Sequence, residues 1–400
     1  MKRVVVLSGV YPNMRCGVAP HTHCAAQAVA DTGSWDVHVL TSADDAIDGN
    51  LAKNYRVHPV IGRWNLRALP GIVREIERLR PDVLHVQTPT AAYAGRMNFT
   101  MPLLPLAGKR LWNTVRLVVT QHDLAIGHRL MQLKHGMLLK RAAALTVSND
   151  RDYQAVCRLS PELLKRTYVA HLASHFNPPE LSESEIAEVR RGLGVPEGAM
   201  LLLYFGFIVP GRRLETLVSA AGLLREQGRA FRLVLMGGPG AGADRYMEQC
   251  RALAVKLGLD KHVVWAGHVE PAVVEKTVAA ADMLISPIAR GADLRNSSLF
   301  PAIRAGLPIL TTENPKYSID RELRAWDICR FFDPGSPPGL ADAIVRLHED
   351  AEAKRRMREN TAALAKRLTW QEHARILDFA YRGEPPEAYE PASAAGKGTS

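Results

Sequence analysis

The chain has 400 residues, of which 47% are hydrophobic and 23% charged, a balance that excludes disordered and fibrous classes and fits a globular protein. This length exceeds one compact core of common size, so we expect two domains. No apolar run approaches the ~20 residues that span a bilayer, and five scattered Cys residues favour a reducing cytoplasm over a disulfide framework.

The net charge of +10 is concentrated in the N-terminal part of the chain. Residues 1–170 contain 22 Lys and Arg against 12 Asp and Glu, whereas the rest of the chain contains 29 of each. The excess indicates an anionic partner, such as a membrane surface, a phosphorylated substrate or nucleic acid. A solvated basic face that aids solubility explains it equally well. No basic-aromatic platform supports nucleic-acid binding, and we expect none.

Short apolar, β-branched runs alternate with longer helical stretches along the chain. The first series comprises residues 3–7, 37–40, 83–86, 117–120 and 144–147, and the second comprises 201–205, 233–236, 263–266, 283–286 and 309–311. Buried parallel strands covered by helices have this pattern. The sequence therefore predicts an α/β fold with two doubly wound, Rossmann-like domains.

The expected boundaries of the domains and the linker follow from changes in composition along the chain. We place the N-terminal domain at residues 1–175, a linker rich in Pro, Ser and Glu at 176–198, and the C-terminal domain at 199–367. A last helix at 368–383 opens with a capping box from Thr369 to Glu372 and is expected to pack back towards the N-terminal domain. Residues 384–400 have almost nothing to bury and are predicted to be a disordered tail.

Ligands bind outside the carboxyl ends of the strands in open parallel sheets. After the first strand, Gly17 precedes a helix of small residues, where a ligand oxygen could approach the backbone. Cys16, His21, His23 and Cys24 are in the same segment, but they match no standard zinc spacing. We therefore expect no metal here, and expect His21 or His23 to line the cleft on the acceptor side.

Another candidate group follows the fourth run of the first series. His122 and Asp123 end it, with Arg129 close behind on the acceptor side. A His at this place is suited to meet a substrate hydroxyl, and a structural His bonded within its loop is the alternative. His85, inside a strand, is expected to be a satisfied core histidine.

The first run of the second series ends at Gly206. Arg212 and Arg213 follow at the start of a helix. Adjacent arginines at that end of a sheet make a plausible diphosphate clamp. The glycines at 237, 238, 240 and 242 fit neither the dinucleotide fingerprint nor a Walker motif.

Several segments together resemble a known family. In order they are GFIVPGRRLETLVSAAGLL, LVLMGGPG, HVVWAGHVEPAVVEKTVAAADMLISPI, FPAIRAGLPILTT and RFFDPGSPPGLADAIVRL, preceded by DVLHVQTP, TQHD and LTVSND. They are similar to the retaining glycosyltransferases of the glycosyl transferases group 1 family. The resemblance implies the GT-B fold, two Rossmann-like domains facing a cleft. It also implies sugar transfer from a nucleotide sugar without a metal or cofactor, with the donor on the C-terminal domain.

The family's site residues map onto this sequence one by one. Gly17 falls beside the donor phosphate, Arg212 takes the place of the residue that grips the diphosphate, and His122 matches the His that faces the transferred sugar. Phe207 stands where the family has a second cation. Asp293 replaces the first of two glutamates eight positions apart, and the resemblance implies that Asp293 and His122 are the catalytic residues, which position the sugar near the acceptor hydroxyl.

Position 301 departs most from the family, because Pro301 stands where the second, ribose-binding glutamate belongs. Pro fits the first turn of a helix, so we expect a helix start near 298–301 that leaves the amides of residues 296–299 available to an anion. Arg295, Asn296, Ser297 and Ser298 are then expected to bind donor oxygens by another route.

The resemblance implies a cytoplasmic enzyme in polysaccharide or glycolipid assembly. Basic and bulky apolar residues alternate at 96–141, including Lys109, Arg110, Lys134, Lys140 and Arg141. They suit a lipid-linked acceptor and peripheral contact with an anionic membrane at its inner face. A soluble saccharide acceptor, with these residues forming ordinary helix cores, stays open. So do a non-catalytic partner subunit and a sugar-nucleotide epimerase or phosphorylase on the same fold.

Overall fold

The protein divides into two compact units. A computed structural model describes residues 1–12, 18–43, 47, 52–88, 93, 99–108, 111–122, 124, 129–174, 176–314 and 321–387, without the side chains of residues 129–133. Among these residues the first unit comprises 1–173 and 368–387, and the second comprises 174–367. The last helix of the chain is thus part of the first unit.

The first unit is built on a parallel sheet of seven strands. They are β1 (Lys2–Leu7), β2 (Trp35–Ser42), β3 (Arg56–Ile61), β4 (Val83–Thr88), β5 (Arg116–Gln121), β6 (Ala144–Val147) and β7 (Thr167–Val169). Their order in the sheet is β3-β2-β1-β4-β5-β6-β7, so the chain moves outward from β1 to β3 and then crosses back to β4 on the other side of β1, which puts the reversal of strand order between β1 and β4. Ligands bind at such a reversal in doubly wound folds.

Six α-helices of this unit lie within the described residues. They are α1 (Val18–Asp31), α2 (Leu69–Leu79), α3 (Thr100–Leu103), α4 (Arg129–Leu139), α5 (Asp150–Leu159) and, from the end of the chain, α14 (Trp370–Arg382). Aliphatic residues of the strands pack against α1 and α14 on one face of the sheet. Other aliphatic residues of the strands pack on the opposite face. Burial of the apolar side chains on the two faces contributes most of the free energy that stabilises the unit.

The second unit has a parallel sheet of six strands in the order β10-β9-β8-β11-β12-β13. The strands are β8 (Met200–Phe205), β9 (Phe231–Met236), β10 (Val263–Gly267), β11 (Met283–Ser286), β12 (Ile309–Thr312) and β13 (Cys329–Phe332). The helices are α6 (Glu183–Gly192), α7 (Leu214–Glu226), α8 (Asp244–Lys256), α9 (Pro271–Ala280), α10 (Phe300–Ala305), α11 (Arg321–Ala325), α12 (Pro337–Glu349) and α13 (Ala351–Ala365).

The predicted α/β class and both series of parallel strands are confirmed. Helix α6 occupies the middle of the segment expected to be a linker, where Ser182 and Glu185 form a reciprocal capping box. Arg190 of this helix donates to the carbonyl oxygens of Ala280 and Ala199, which holds the segment against the second unit. The predicted tail begins with ordered contacts, since Glu387 pairs with Arg375, and residues 388–400 lie outside the described residues.

Candidate functional site

Two glycines shape the carboxyl edge of the second sheet. Gly206 follows β8 and Gly237 follows β9, with φ angles of +135° and +137°. A Cβ on Gly237 would lie 2.0 Å from the carbonyl oxygen of Gly206, so only Gly allows this approach. Gly206 in turn lies beside Ser298, whose Cβ would be 3.3 Å from an added Cβ. The loops after β8, β9 and β11 therefore pack closely against one another at this edge.

Arg212 lies at the same edge, at the end of the 3₁₀ turn Pro210–Arg212. Its Nη1 donates to Oγ of the buried Ser298 at 3.2 Å. The contact joins the loop after β8 to the 3₁₀ turn Ser297–Leu299, which follows β11. This places a cation at the edge where parallel sheets bind ligands.

The two adjacent arginines do not act as one group in the structure. Arg213 has a left-handed backbone, with φ 45°, and its Nη1 lies 3.2 Å from Glu215 Oε1. Tyr246 donates its hydroxyl hydrogen to Glu215 and accepts the Leu214 N–H at 2.8 Å, which caps α7. Arg213 is therefore paired with its own helix, and the clamp predicted from both arginines reduces to Arg212.

Asp293 and Arg295 form a closed pair in the loop after β11. The Asp293 side chain is 2% exposed. Its Oδ1 accepts the backbone N–H and Nε of Arg295 at 2.9 and 3.2 Å, and its Oδ2 accepts Nη2 at 2.6 Å. Arg295, which is expected from the sequence to reach donor oxygens, thus pairs with the buried carboxylate of Asp293. Without this pair, the buried charge of Asp293 would destabilise the fold.

The amides expected to face an anion are only partly available. The Asn296 N–H donates to the Asp293 carbonyl at 3.0 Å, and the Leu299 N–H donates to the Asn296 carbonyl at 2.8 Å. The prediction is wrong for these two N–H groups, because both donate to carbonyl oxygens of the same loop. Ser297 is exposed beside the buried Ser298. Helix α10 begins at Phe300 with Pro301 in its first turn, within the predicted range.

Phe207 presents an aromatic ring where the resemblance implies a second cation. It is 51% exposed, and its ring centroid lies 6.1 Å from that of the exposed His268, in an edge-on arrangement. Gly238 allows His268 to lie close, since a Cβ there would be 2.5 Å from its Nε2. In addition to the cation Arg212, this edge therefore offers an exposed aromatic ring on which a ligand can stack.

The first unit has its own polar group at the carboxyl edge. His122 follows β5, and its Nε2 lies 2.6 Å from Oε1 of Gln87. Gln87 is fully buried on the neighbouring strand β4. His122 is half-buried, and a buried residue of the neighbouring strand anchors its ring.

His21 joins His122 to a group of aromatic side chains. The ring of His21, on α1, meets the rings of His122 and His373 edge-on, at centroid distances of 4.8 and 5.1 Å. Trp370 lies 5.8 Å from His21. His373 donates from Nδ1 to the His171 carbonyl at 2.8 Å, and burial lowers the pKa of His373 to about 4. Helix α14 thus contributes two neutral rings to this group at pH 7.

The other candidates of this unit lie elsewhere or outside the described residues. His23 bonds through Nδ1 to the Tyr55 hydroxyl at 2.6 Å, and burial lowers its pKa. Gly17, Asp123 and the side chain of Arg129 lie outside the described residues. The structure therefore brings His21 to His122 and assigns His23 to a separate tyrosine contact.

The basic and apolar segment at 96–141 is mostly core. Met101, Leu104, Leu111, Leu138 and Leu139 are buried. Lys134 is also buried, with Nζ 5.5 Å from the centre of the Phe99 ring, so it is not a surface cation. The exposed members are the apolar Leu106 and Met137 and the cations Lys140 and Arg141. Lys109 and Arg110 lie outside the described residues.

Metal and membrane sites were searched over the same described residues. They contain no group of three His, Cys, Asp or Glu side chains that could hold a metal ion. Within them, no helix is both long and apolar enough to cross a bilayer.

Comparison with protein families covers both units. The model of glycosyl transferases group 1 matches residues 185–364, and the glycosyl transferase 4-like model matches residues 17–149. The chain belongs to the glycosyl transferases group 1 family. The segment matched by the group 1 model contains Gly206, Arg212 and Ser298, which form the candidate edge of the second unit.

Named relatives of this group 1 chain are distant. It is 26% identical over 202 residues to D-inositol 3-phosphate glycosyltransferase of Corynebacterium glutamicum, covering 48% of this chain and 45% of that protein. The match thus spans about half of that relative. Alpha-D-kanosaminyltransferase of Streptomyces kanamyceticus is 22% identical over 318 residues, covering 76% of this chain and 78% of the other.

Solved structures establish the fold of the group 1 chain. The structure of Anabaena HepE in complex with UDP and glucose superimposes with a TM-score of 0.71 at 15% identity, covering 94% of this chain and 98% of that one. The GT-B fold is therefore confirmed.

Sequence reasoning missed three residues of the first site, which are Gln87, Trp370 and His373. Gln87 alternates with His85 on β4, and this two-residue period was a usable signal for one shared face. The prediction for His85 is confirmed, because its ring is buried and bonded to Tyr381 and Thr120. Trp370 and His373 gave no such signal, because they reach the site only through the packing of α14 with α1.

Proposed function

We propose that this protein transfers a sugar from a nucleoside diphosphate sugar to an acceptor hydroxyl, with retention of configuration and without a catalytic metal or cofactor. The observation that carries the proposal is the Arg212–Ser298 contact beside Gly206, in the segment that the group 1 model matches. The HepE structure, which contains UDP and glucose, supports a nucleotide donor.

Each unit has a separate task in this proposal. In the second unit, Arg212 neutralises the departing diphosphate, which is the main requirement when the leaving group carries the developing charge. Backbone near Gly206 and the hydroxyls of Ser297 and Ser298 contact donor oxygens, and the Asp293–Arg295 pair holds the loop that carries the two serines. In the first unit, His122 meets a substrate hydroxyl.

The acceptor is a hydroxyl compound bound by the first unit. The exposed Leu106, Met137, Lys140 and Arg141 lie on segments whose helices α3 and α4 pack together, and they favour a lipid-linked acceptor over a free saccharide. Sedimentation with phosphatidylglycerol vesicles, compared with phosphatidylcholine vesicles, tests this. Equal recovery with both would favour the free saccharide.

Titration calorimetry with UDP, GDP, ADP and their glucose conjugates tests donor binding. We expect at least one to bind, and Arg212→Ala to weaken it about tenfold or more, because a hydrogen bond to a charged group contributes about 1.5–3 kcal/mol. Arg229→Ala is the matched control. Arg229 precedes β9 at the opposite edge of the sheet and pairs with Glu349 at 2.9 Å, so affinity should not change.

Two results would contradict the proposal. Unchanged affinity in Arg212→Ala would show that the diphosphate binds elsewhere. The absence of binding by all the nucleotides, with the protein folded, would favour the non-catalytic partner subunit.

A further inference from the structure

One face of the first sheet carries a row of polar side chains among aliphatic ones. It is the face that packs against α1 and α14. The row comprises His85, Gln87, Thr120, Thr146 and, on α14, Tyr381, none of them more than 3% exposed. Buried polar groups destabilise a core unless their hydrogen bonds are made, so the contacts within the row decide what it does.

The contacts form a continuous chain that ends at His122. The Tyr381 hydroxyl lies 2.7 Å from His85 Nδ1. His85 Nε2 lies 2.6 Å from Thr120 Oγ1 and 3.4 Å from Gln87 Nε2. Gln87 Oε1 then lies 2.6 Å from His122 Nε2. A helix at the end of the chain is thus connected through the sheet to a ring at its carboxyl edge.

Hydrogen-bond polarity along this chain has one consistent direction. Burial lowers the pKa of His85 to about 3, so its ring is neutral at pH 7 and carries one N–H. When the Gln87 amide donates to Nε2 of His85, that nitrogen is an acceptor, and Nδ1–H donates to Tyr381. The amide oxygen of Gln87 can only accept, so it requires an N–H on Nε2 of His122.

We propose that Gln87 is the positioning residue of His122, holding its imidazole in the Nε2–H tautomer with Nδ1 as the hydrogen-bond acceptor. The importance of this for catalysis rests on the proposed function, in which His122 meets a substrate hydroxyl. An Nδ1 lone pair accepts from a hydroxyl, whereas the other tautomer would present an N–H there. Tyr381 anchors the far end, which gives α14 a role in setting the site.

The tautomer can be measured without any substrate. In protein labelled with ¹⁵N-histidine at pH 7.5, the ring of His122, assigned with His122→Gln, should show a protonated Nε2 and an unprotonated Nδ1. Gln87→Met keeps the volume but removes the acceptor, so the two nitrogen shifts should converge as both tautomers become populated. Gln87→Glu restores an acceptor and should restore the preference for Nε2–H.

The control is Thr41→Val, which alters a fully buried hydroxyl on β2 outside the row and should leave the His122 shifts unchanged. A wild-type His122 protonated on Nδ1 overturns the proposal, as do unchanged shifts in Gln87→Met. The wild-type spectrum decides even if a variant fails to fold. Because no nucleotide is present, a failure here is separate from a failure of donor binding.

Discussion

The two units arrange their carboxyl edges by different means. In the second unit the edge consists of closely packed glycine backbone at Gly206 and Gly237 with the cation Arg212. In the first unit it consists of rings, His122 with His21, held by buried amide and hydroxyl groups. A cation suits a phosphate, whereas imidazole rings, which donate or accept hydrogen bonds, suit hydroxyl groups. In the function that we propose, the anionic part of the substrate therefore binds the second unit.

The largest expected effect is a loss of stability of the first unit in acid. Burial lowers the pKa of His85 to about 3 and of His373 to about 4, below the ordinary value of 6.5. Between those values and 6.5 the unfolded chain binds more protons, so stability falls as the pH falls below 6.5. From pH 7 to pH 5 the two histidines together account for roughly 3–4 kcal/mol.

Hydrogen exchange at pH 7 and pH 5, corrected for intrinsic rates, measures this loss unit by unit. We expect the protection of β4, β5 and α14 to fall more than that of β8 and β9. An equal loss of protection in both units would contradict this prediction. It would mean that protonation of His85 and His373 does not destabilise the first unit more than the second.

The next effect concerns the backbone approach in the second unit. Gly237→Ala should destabilise this unit by about 2–3 kcal/mol, since the new Cβ would lie 2.0 Å from the Gly206 carbonyl oxygen and φ is +137°. Urea unfolding measures the change in free energy. Gly211→Ala is the control, because nothing lies within 4 Å of its added Cβ. A small effect at 237 would mean that the edge does not depend on the two glycines.

The repeated pattern of apolar runs was enough to predict the ten strands that form the centres of both sheets. Strand β3 was missed because Pro59 interrupts it, β7 because it has three residues, and β13 because its burial is partial. Asp293, Arg212 and Ser298 could be placed at the edge from their position after strands. The pairing of Arg295 with Asp293 could not be predicted. It depends on a local loop conformation in which the Arg295 side chain turns back to the residue two positions earlier.

The smallest expected effect concerns the exposed ring of Phe207 and tests whether it contacts the donor. Phe207→Arg introduces a second cation beside Arg212 and should tighten binding of UDP, or of whichever diphosphate binds, by about tenfold. Phe207→Gln, uncharged and of similar length, should give no gain. Titration calorimetry compares them, and weaker binding by the arginine variant would indicate that the ring itself contacts the donor.

The central claim is that the donor nucleotide binds the second unit at the edge formed by Gly206, Arg212 and Ser298. Hydrogen exchange with and without saturating UDP-glucose, or the nucleotide sugar that the binding panel identifies, tests this most directly. The account predicts slower exchange in residues 206–213 and 291–299 of the wild-type protein, and none of this slowing in Arg212→Ala. Slowing confined to the first unit, or equal slowing in Arg212→Ala, would contradict it.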